Sequence, residues 1–236
     1  LAYFVQDYEP YFYPVSEEYL NAINTYNQDL SVITIGCWLV HKLREKHGLK
    51  ARHTAFTADR SLYRPLGLKR EKAVCAIFQP AKWRRCAHLV ERALELVHLV
   101  DPDVKLIVYG QDGDYNFDFP VENLGLVTKQ ECNELYNRCM VGLCISSTNP
   151  SRVPFEMMAA GLPVVATKVG GIPYVVDHRR DGFLSEYGDI DSFCSSLFNL
   201  LSDPGLWSAF STRAQSSALD YSWQKIAGCI LQEYTR

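Results

Sequence analysis

Residues 140–167 read Met140-Val141-Gly142-Leu143-Cys144-Ile145-Ser146-Ser147-Thr148-Asn149-Pro150-Ser151-Arg152-Val153-Pro154-Phe155-Glu156-Met157-Met158-Ala159-Ala160-Gly161-Leu162-Pro163-Val164-Val165-Ala166-Thr167. Residues 140–145 are a short apolar run, which predicts a buried strand. Residues 146–153 are polar, with a proline and small hydroxyl side chains, and predict a loop. Residues 154–160 predict a short helix, with Pro154 tolerated in its first turn and Gly161 placed to end it. Residues 163–167 are the next strand. A strand, a polar loop and a helix start are the local geometry that holds an anion, because free backbone N–H groups and the positive end of the helix dipole point at it. Glu156 falls in that first turn. A carboxylate there either offsets the dipole or accepts hydrogen bonds from sugar hydroxyls.

The same alternation continues outward. Strands are expected at residues 73–78, 104–109, 124–127, 140–145 and 163–167. Between them, residues 83–100 carry a helical stripe of Cys86, Leu89, Val90, Ala93, Leu94 and Val97. Thr128-Lys129-Gln130-Glu131 reads as a capping box opening a helix to Arg138. Strands alternating with helices of this length predict a parallel, doubly wound α/β sheet. Its ligand site would lie beyond the carboxyl ends of the strands, where the loop 146–153 begins. Further on, residues 189–201, 204–219 and 223–234 read as helices, and Gly170-Gly171-Ile172-Pro173 as a structural loop. Upstream, residues 1–6, 31–35 and 53–56 read as strands, and 17–26 and 38–47 as helices. Asp7 and Glu9 lie among aromatic residues, either packed there or facing a sugar.

A second chemical candidate follows the strand 73–78. Gln79-Pro80-Ala81-Lys82-Trp83-Arg84-Arg85 places three cations in four positions, at the expected start of a helix. Cations there oppose the dipole unless an anion compensates them. The two readings are a bound phosphate and a solvated basic face.

Composition narrows the class. The chain has 236 residues, 47% hydrophobic, 22% charged and 12% aromatic, enough for one or two globular domains. A net charge of −3 exerts no general pull toward nucleic acid. No apolar run approaches the roughly 20 residues that span a bilayer, and the aromatic, acidic start does not read as a signal peptide. The chain opens on Leu1 rather than Met, as a cut or processed piece would. The eight cysteines are scattered through apolar runs without a paired spacing. They predict free thiols in a reducing cytoplasm rather than disulfides or zinc. The six histidines show no metal-ligand spacing.

Phe155 to Val165 resembles the donor-binding signature of the family-4 retaining glycosyltransferases, which have the GT-B fold. That family places two glutamates on either side of seven other residues. The second binds the nucleotide ribose and the first faces the transferred sugar. Glu156 stands at the second position and Thr148 at the first, while Asn149-Pro150-Ser151-Arg152 replaces a glycine-containing loop. Gln79 stands where the family has an arginine for the donor diphosphate, and Arg84 or Arg85 where it has a lysine. Asp59, Tyr63 and Pro65 match the lead-in to its C-terminal domain. Tyr3-Phe4-Val5-Gln6-Asp7-Tyr8-Glu9-Pro10, Phe12-Tyr13-Pro14 and Ser146 to Pro150 resemble bacterial rhamnosyltransferases that build surface polysaccharides.

The resemblance implies a Rossmann-like C-terminal half of a GT-B fold plus a remnant of the N-terminal domain. Residues 1–62 would be the tail of the acceptor-side domain and linker, 63–220 the donor-binding domain and 221–236 a C-terminal helix. It implies transfer of a sugar, rhamnose among the candidates, from a nucleotide sugar to a glycan acceptor with retention. Lys82, Arg84 and Arg85 would stabilise the departing diphosphate. Gln79, Thr148, Asn149, Ser151, Arg152 and Glu156 would bind the donor. No metal and no further cofactor are expected. The setting would be cytoplasmic, with room for peripheral membrane association through the rest of the acceptor domain. A nucleotide-sugar epimerase of the same fold and a non-catalytic binding module are the alternatives.

Overall fold

The computed structural model describes residues 1–55, 57–113, 115–149, 151–219 and 222–234. They fall into two compact units, one of residues 1–57 with the C-terminal segment from residue 221, the other of residues 58–220.

The first unit is a three-stranded parallel sheet in the order β1 (Ala2–Val5), β2 (Ser31–Ile35), β3 (Ala51–Thr54). Helix α1 (Glu17–Thr25) starts at Ser16, whose hydroxyl accepts from the Tyr19 N–H at 3.3 Å. Helix α2 (Cys37–His47) stops at the left-handed Gly48, as its sequence predicts. Val5, Tyr8, Tyr26, Val32, Leu39 and Leu43 form the core. The acidic residues of the 7–14 loop are used inside this unit. Asp7 accepts from the Tyr8 N–H at 2.8 Å, and the Tyr26 hydroxyl donates to Glu9. The strand expected at residues 53–56 lies earlier, at Ala51–Thr54; Phe56 is outside the described residues.

The second unit is a six-stranded, wholly parallel sheet. Its strands are β4 (Ala73–Ile77), β5 (Lys105–Tyr109), β6 (Glu122–Asn123), β7 (Val141–Cys144), β8 (Val164–Thr167) and β9 (Gly182–Ser185), ordered β6-β5-β4-β7-β8-β9. Val74 lies in register with Leu106 on one side and Val141 on the other. Helices α3 (Ala87–Val100), α4 (Lys129–Arg138), α5 (Val153–Ala159), α6 (Ile190–Ser202) and α7 (Pro204–Leu219) complete the unit. Val74, Ala76, Leu143, Val165 and Phe183 from the sheet share a core with Val90, Leu94 and Val97 of α3 and Phe193 and Leu197 of α6. The capping box at α4 forms in both directions: Thr128 accepts from the Glu131 N–H, and Glu131 accepts from the Thr128 N–H at 2.6 Å.

Three boundaries differ from expectation. Apolar Leu124, Leu126 and Val127 suggest a strand, but pairing is confined to Glu122–Asn123, because Gly125 turns the chain at φ 62. The three apolar residues instead line a groove with Leu66 and Leu68. Helix α3 begins at Ala87 rather than Trp83. Residues 83–85 make a 3-10 turn, and Cys86 at φ 49 breaks the path between the two. Strand β9 has no counterpart in the sequence reading, although all four of its residues are buried.

Two features seat α5. A Cβ on Gly142 of β7 would fall 2.4 Å from Met157 Sδ, so glycine is what lets the helix lie close on the sheet. At the other end, Arg70 donates to the carbonyls of Tyr136, Cys139, Ala160 and Gly161 at 2.6–3.2 Å and stacks on Trp207. One guanidinium thereby satisfies the open carbonyls at the ends of both α4 and α5. Ser211 of α7 adds a bond to the Gly161 carbonyl at 2.6 Å.

Candidate functional site

Strands β4 and β7 are neighbours, but the chain leaves them in opposite directions, toward β5 and β6 on one side and β8 and β9 on the other. The loops after their carboxyl ends therefore diverge and leave a crevice, the position where open parallel sheets bind ligands. The loop after β4 carries Gln79, Lys82, Arg84 and Arg85. The loop after β7 carries Ser146 to Arg152. They are tied together by the Ser147 N–H, which donates to the Arg84 carbonyl at 3.0 Å.

The first loop is built on short backbone bonds. The Lys82 N–H donates to the Gln79 carbonyl at 2.9 Å, and the Arg85 N–H to the Lys82 carbonyl at 2.8 Å. The Gln79 amide donates to the Gly110 carbonyl at 2.8 Å, so its N–H serves to hold the β4 and β5 loops together. The basic cluster thus sits in a 3-10 turn ahead of α3 rather than in the first turn of that helix. Burial lowers the Lys82 pKa, and Arg85 and Arg84 lower it further. Three cations crowd one another here, and an anion among them would relieve the repulsion.

The second loop is held from beneath. The Thr167 hydroxyl accepts from the Ser146 N–H at 3.1 Å and donates to the Ser146 carbonyl at 2.7 Å. The Ser146 hydroxyl donates to the Asn149 carbonyl at 3.3 Å. Gly170 stands at φ 60, and a Cβ there would lie 2.2 Å from the Thr148 carbonyl oxygen, so only glycine lets its loop press against this one. Ser146, Thr148 and Asn149 are buried. Ser151 adopts φ 64, and its hydroxyl accepts from the Val153 N–H at 3.4 Å, opening α5. Pro150 is outside the described residues.

Glu156, in the first turn of α5, is only 8% exposed. Arg152 Nε lies 3.9 Å from its Oε1. Burial raises the Glu156 pKa; Arg152, Lys129 and the Tyr63 hydroxyl draw it back down. Burial also pushes the Cys144 thiol, at the end of β7, up to about 12, with Arg85 lowering it and Glu156 raising it. The basic cluster and the carboxylate therefore act on the same strand end. Sequence reasoning had Tyr63 only as part of a domain lead-in and gave Lys129 no role. Their approach to Glu156 depends on tertiary packing, which no local pattern displays. Among the described residues, no three His, Cys, Asp or Glu side chains gather as a metal site, and no helix is long and apolar enough to cross a membrane.

Residues 73–203, more than half of the chain, match the family described as glycosyl transferases group 1. The chain belongs to that family. The chain is 28% identical over 229 residues to the O-antigen biosynthesis protein RfbC of Myxococcus xanthus, covering 94% of the present chain and 18% of that protein. It is 28% identical over 159 residues to the N-acetyl-alpha-D-glucosaminyl L-malate synthase of Bacillus anthracis, covering 64% of the chain and 41% of the relative. It spans less than half the length of either relative. Among solved structures, Anabaena HepE in complex with UDP-glucose superposes with a TM-score of 0.80 at 20% identity, covering 99% of this chain and 72% of HepE. Sucrose-phosphate synthase from Thermosynechococcus elongatus gives 0.79 at 18% identity, covering 97% and 65%. At those identities the likeness is one of fold, the Rossmann-like α/β fold of GT-B C-terminal domains.

Proposed function

We propose that this chain is the donor-binding part of a retaining glycosyltransferase that moves a hexose, rhamnose in the first instance, from a nucleotide sugar to a polysaccharide acceptor. The observation that carries the reading is the juxtaposition, at the switch point of the sheet, of a crowded cationic turn and a buried carboxylate. A nucleoside diphosphate has the matching pair of groups, an anion and a ring of hydroxyls. Membership of the group 1 family supports transfer as the reaction. Likeness to an O-antigen biosynthesis protein over most of the chain supports a polysaccharide product.

In this reading the diphosphate lies against Lys82, Arg84 and Arg85, with Ser151 and the N–H groups of its loop beside it. The bond from anomeric carbon to diphosphate oxygen breaks as an acceptor hydroxyl attacks, and the diphosphate leaves with the bonding electrons. Fixed positive groups aimed at the developing charge are the protein's main contribution, without a metal ion. Glu156 accepts hydrogen bonds from the ribose, and Thr148, Asn149 and Arg152 border the sugar. The scattered cysteines, free wherever they are described, support a cytoplasmic setting.

Calorimetry with UDP-, dTDP- and GDP-linked sugars tests the reading. At least one should bind, and Glu156→Gln should weaken it by roughly tenfold or more, the effect of one lost hydrogen bond to a charged group. No binding by any donor, or unchanged affinity in a folded Glu156→Gln variant, contradicts it.

A further inference from the structure

We infer that Thr167 is a positioning residue for the cationic turn of Lys82, Arg84 and Arg85: its hydroxyl fixes the peptide that hooks this turn to the loop after β7. The inference rests on the reading, proposed above, that the turn holds a diphosphate.

Thr167 ends β8 and is fully buried. The backbone pairing of β7 with β8 stops at Cys144 and Ala166. Past that point a side chain takes over. The Thr167 hydroxyl accepts from the Ser146 N–H at 3.1 Å and donates its proton to the Ser146 carbonyl at 2.7 Å. The Ser146 carbonyl and the Ser147 N–H belong to one planar trans peptide and point in opposite directions. A bond that fixes the carbonyl therefore also aims the N–H. That N–H donates to the Arg84 carbonyl at 3.0 Å. Thr167 hydroxyl, Ser146–Ser147 peptide and Arg84 carbonyl thus form one chain of hydrogen bonds, in which each bond polarises the next.

The bond to Ser147 joins the turn to the β7 side of the crevice. On the other side the Gln79 amide ties it to the Gly110 carbonyl at 2.8 Å. The turn's own bonds, from the Lys82, Arg85 and Cys86 N–H groups to the Gln79, Lys82 and Trp83 carbonyls, fold it on itself without reaching either side. Ser146 carries the hold into the rest of its loop. Its hydroxyl accepts from the Thr148 N–H at 3.4 Å and donates to the Asn149 carbonyl at 3.3 Å. A rotated Ser146–Ser147 peptide would release Arg84 and shift the cations relative to the N–H groups of that loop. A diphosphate needs both sets in place at once.

Thr167→Val keeps the branched shape and removes the hydroxyl, whereas Thr167→Ser keeps the hydroxyl and removes the methyl group. Wild type and both variants are titrated calorimetrically with UDP and uridine, and with dTDP and thymidine, at low and high salt, and melted in parallel. Each pair shares base and sugar, so the ratio of the two affinities isolates the diphosphate. We expect Thr167→Val to lose roughly tenfold in diphosphate affinity, with a shallower salt dependence, and to keep its nucleoside affinity. Thr167→Ser should bind the diphosphates within about twofold of wild type, because the hydrogen bonds remain. A threonine with only a structural role would lower the melting temperature of Thr167→Val and leave the diphosphate-to-nucleoside ratio in place. An unchanged ratio therefore overturns the inference while leaving the turn's role standing, as does an equal loss in Thr167→Ser. If Thr167→Val does not fold, Thr167→Cys, which differs from the serine variant only by a weaker donor and acceptor, takes its place with the same two outcomes. No binding of either diphosphate to wild type, or wild-type affinity and salt slope in Arg84→Ala/Arg85→Ala, overturns the turn's role and the inference with it.

Discussion

Glu156, the proposed ribose ligand, is buried at a cost to the fold. Burial raises its pKa above the ordinary carboxylate range, and its neighbours only partly offset this. A carboxyl whose native pKa exceeds its unfolded one weakens the native state as pH rises, because the unfolded chain gives up its proton first. The penalty is complete at neutral pH and absent below the unfolded pKa. Glu156→Gln should therefore raise the melting temperature at neutral pH, with a gain that disappears in acid, while weakening nucleotide binding. Such opposite effects mark a residue held for function. Glu156 was legible because strand, polar loop, Pro154 and Gly161 are local signals. The groups around it were not, since of the charges that act on it only Arg152 is local in sequence and Lys129 comes from another helix.

At the scale of elements, two contacts hold the site's geometry. Gly170→Ala must force apart the loops it joins, because φ 60 disfavours a side chain and the Thr148 carbonyl occupies the space. It should cost at least about 2 kcal/mol in denaturant unfolding and weaken nucleotide binding together. Arg70→Met keeps the apolar stem but leaves the ends of α4 and α5 open, and should cost about 3 kcal/mol with an unchanged m-value. The expected loops and helices around these contacts were readable from punctuation, as at Gly48, Gly161 and the Thr128 capping box. Where a single backbone conformation decides, reading failed. Gly125 cuts short an apolar run that looks like a strand, and Cys86 delays α3 despite a continuous helical stripe. Strand β9 is Gly-Phe-Leu-Ser, too short and too mixed to show a period, and is defined only by its register with β8.

Across the whole second unit, parallel topology brings distant loops to one crevice, and the account stands on what that crevice binds. The central claim is that the turn of Lys82, Arg84 and Arg85 holds a diphosphate. The most direct measurement is the salt dependence of affinity for a nucleoside diphosphate and for its unphosphorylated nucleoside, in wild type and in the double variant Arg84→Ala/Arg85→Ala. Partly exposed charges are screened as salt rises. The account predicts that diphosphate binding weakens with salt in wild type, that nucleoside binding hardly responds, and that the double variant loses both affinity and slope. A double variant that keeps the wild-type affinity and salt slope would contradict it, leaving the basic turn a solvated face and the phosphate to the loop of residues 146–153.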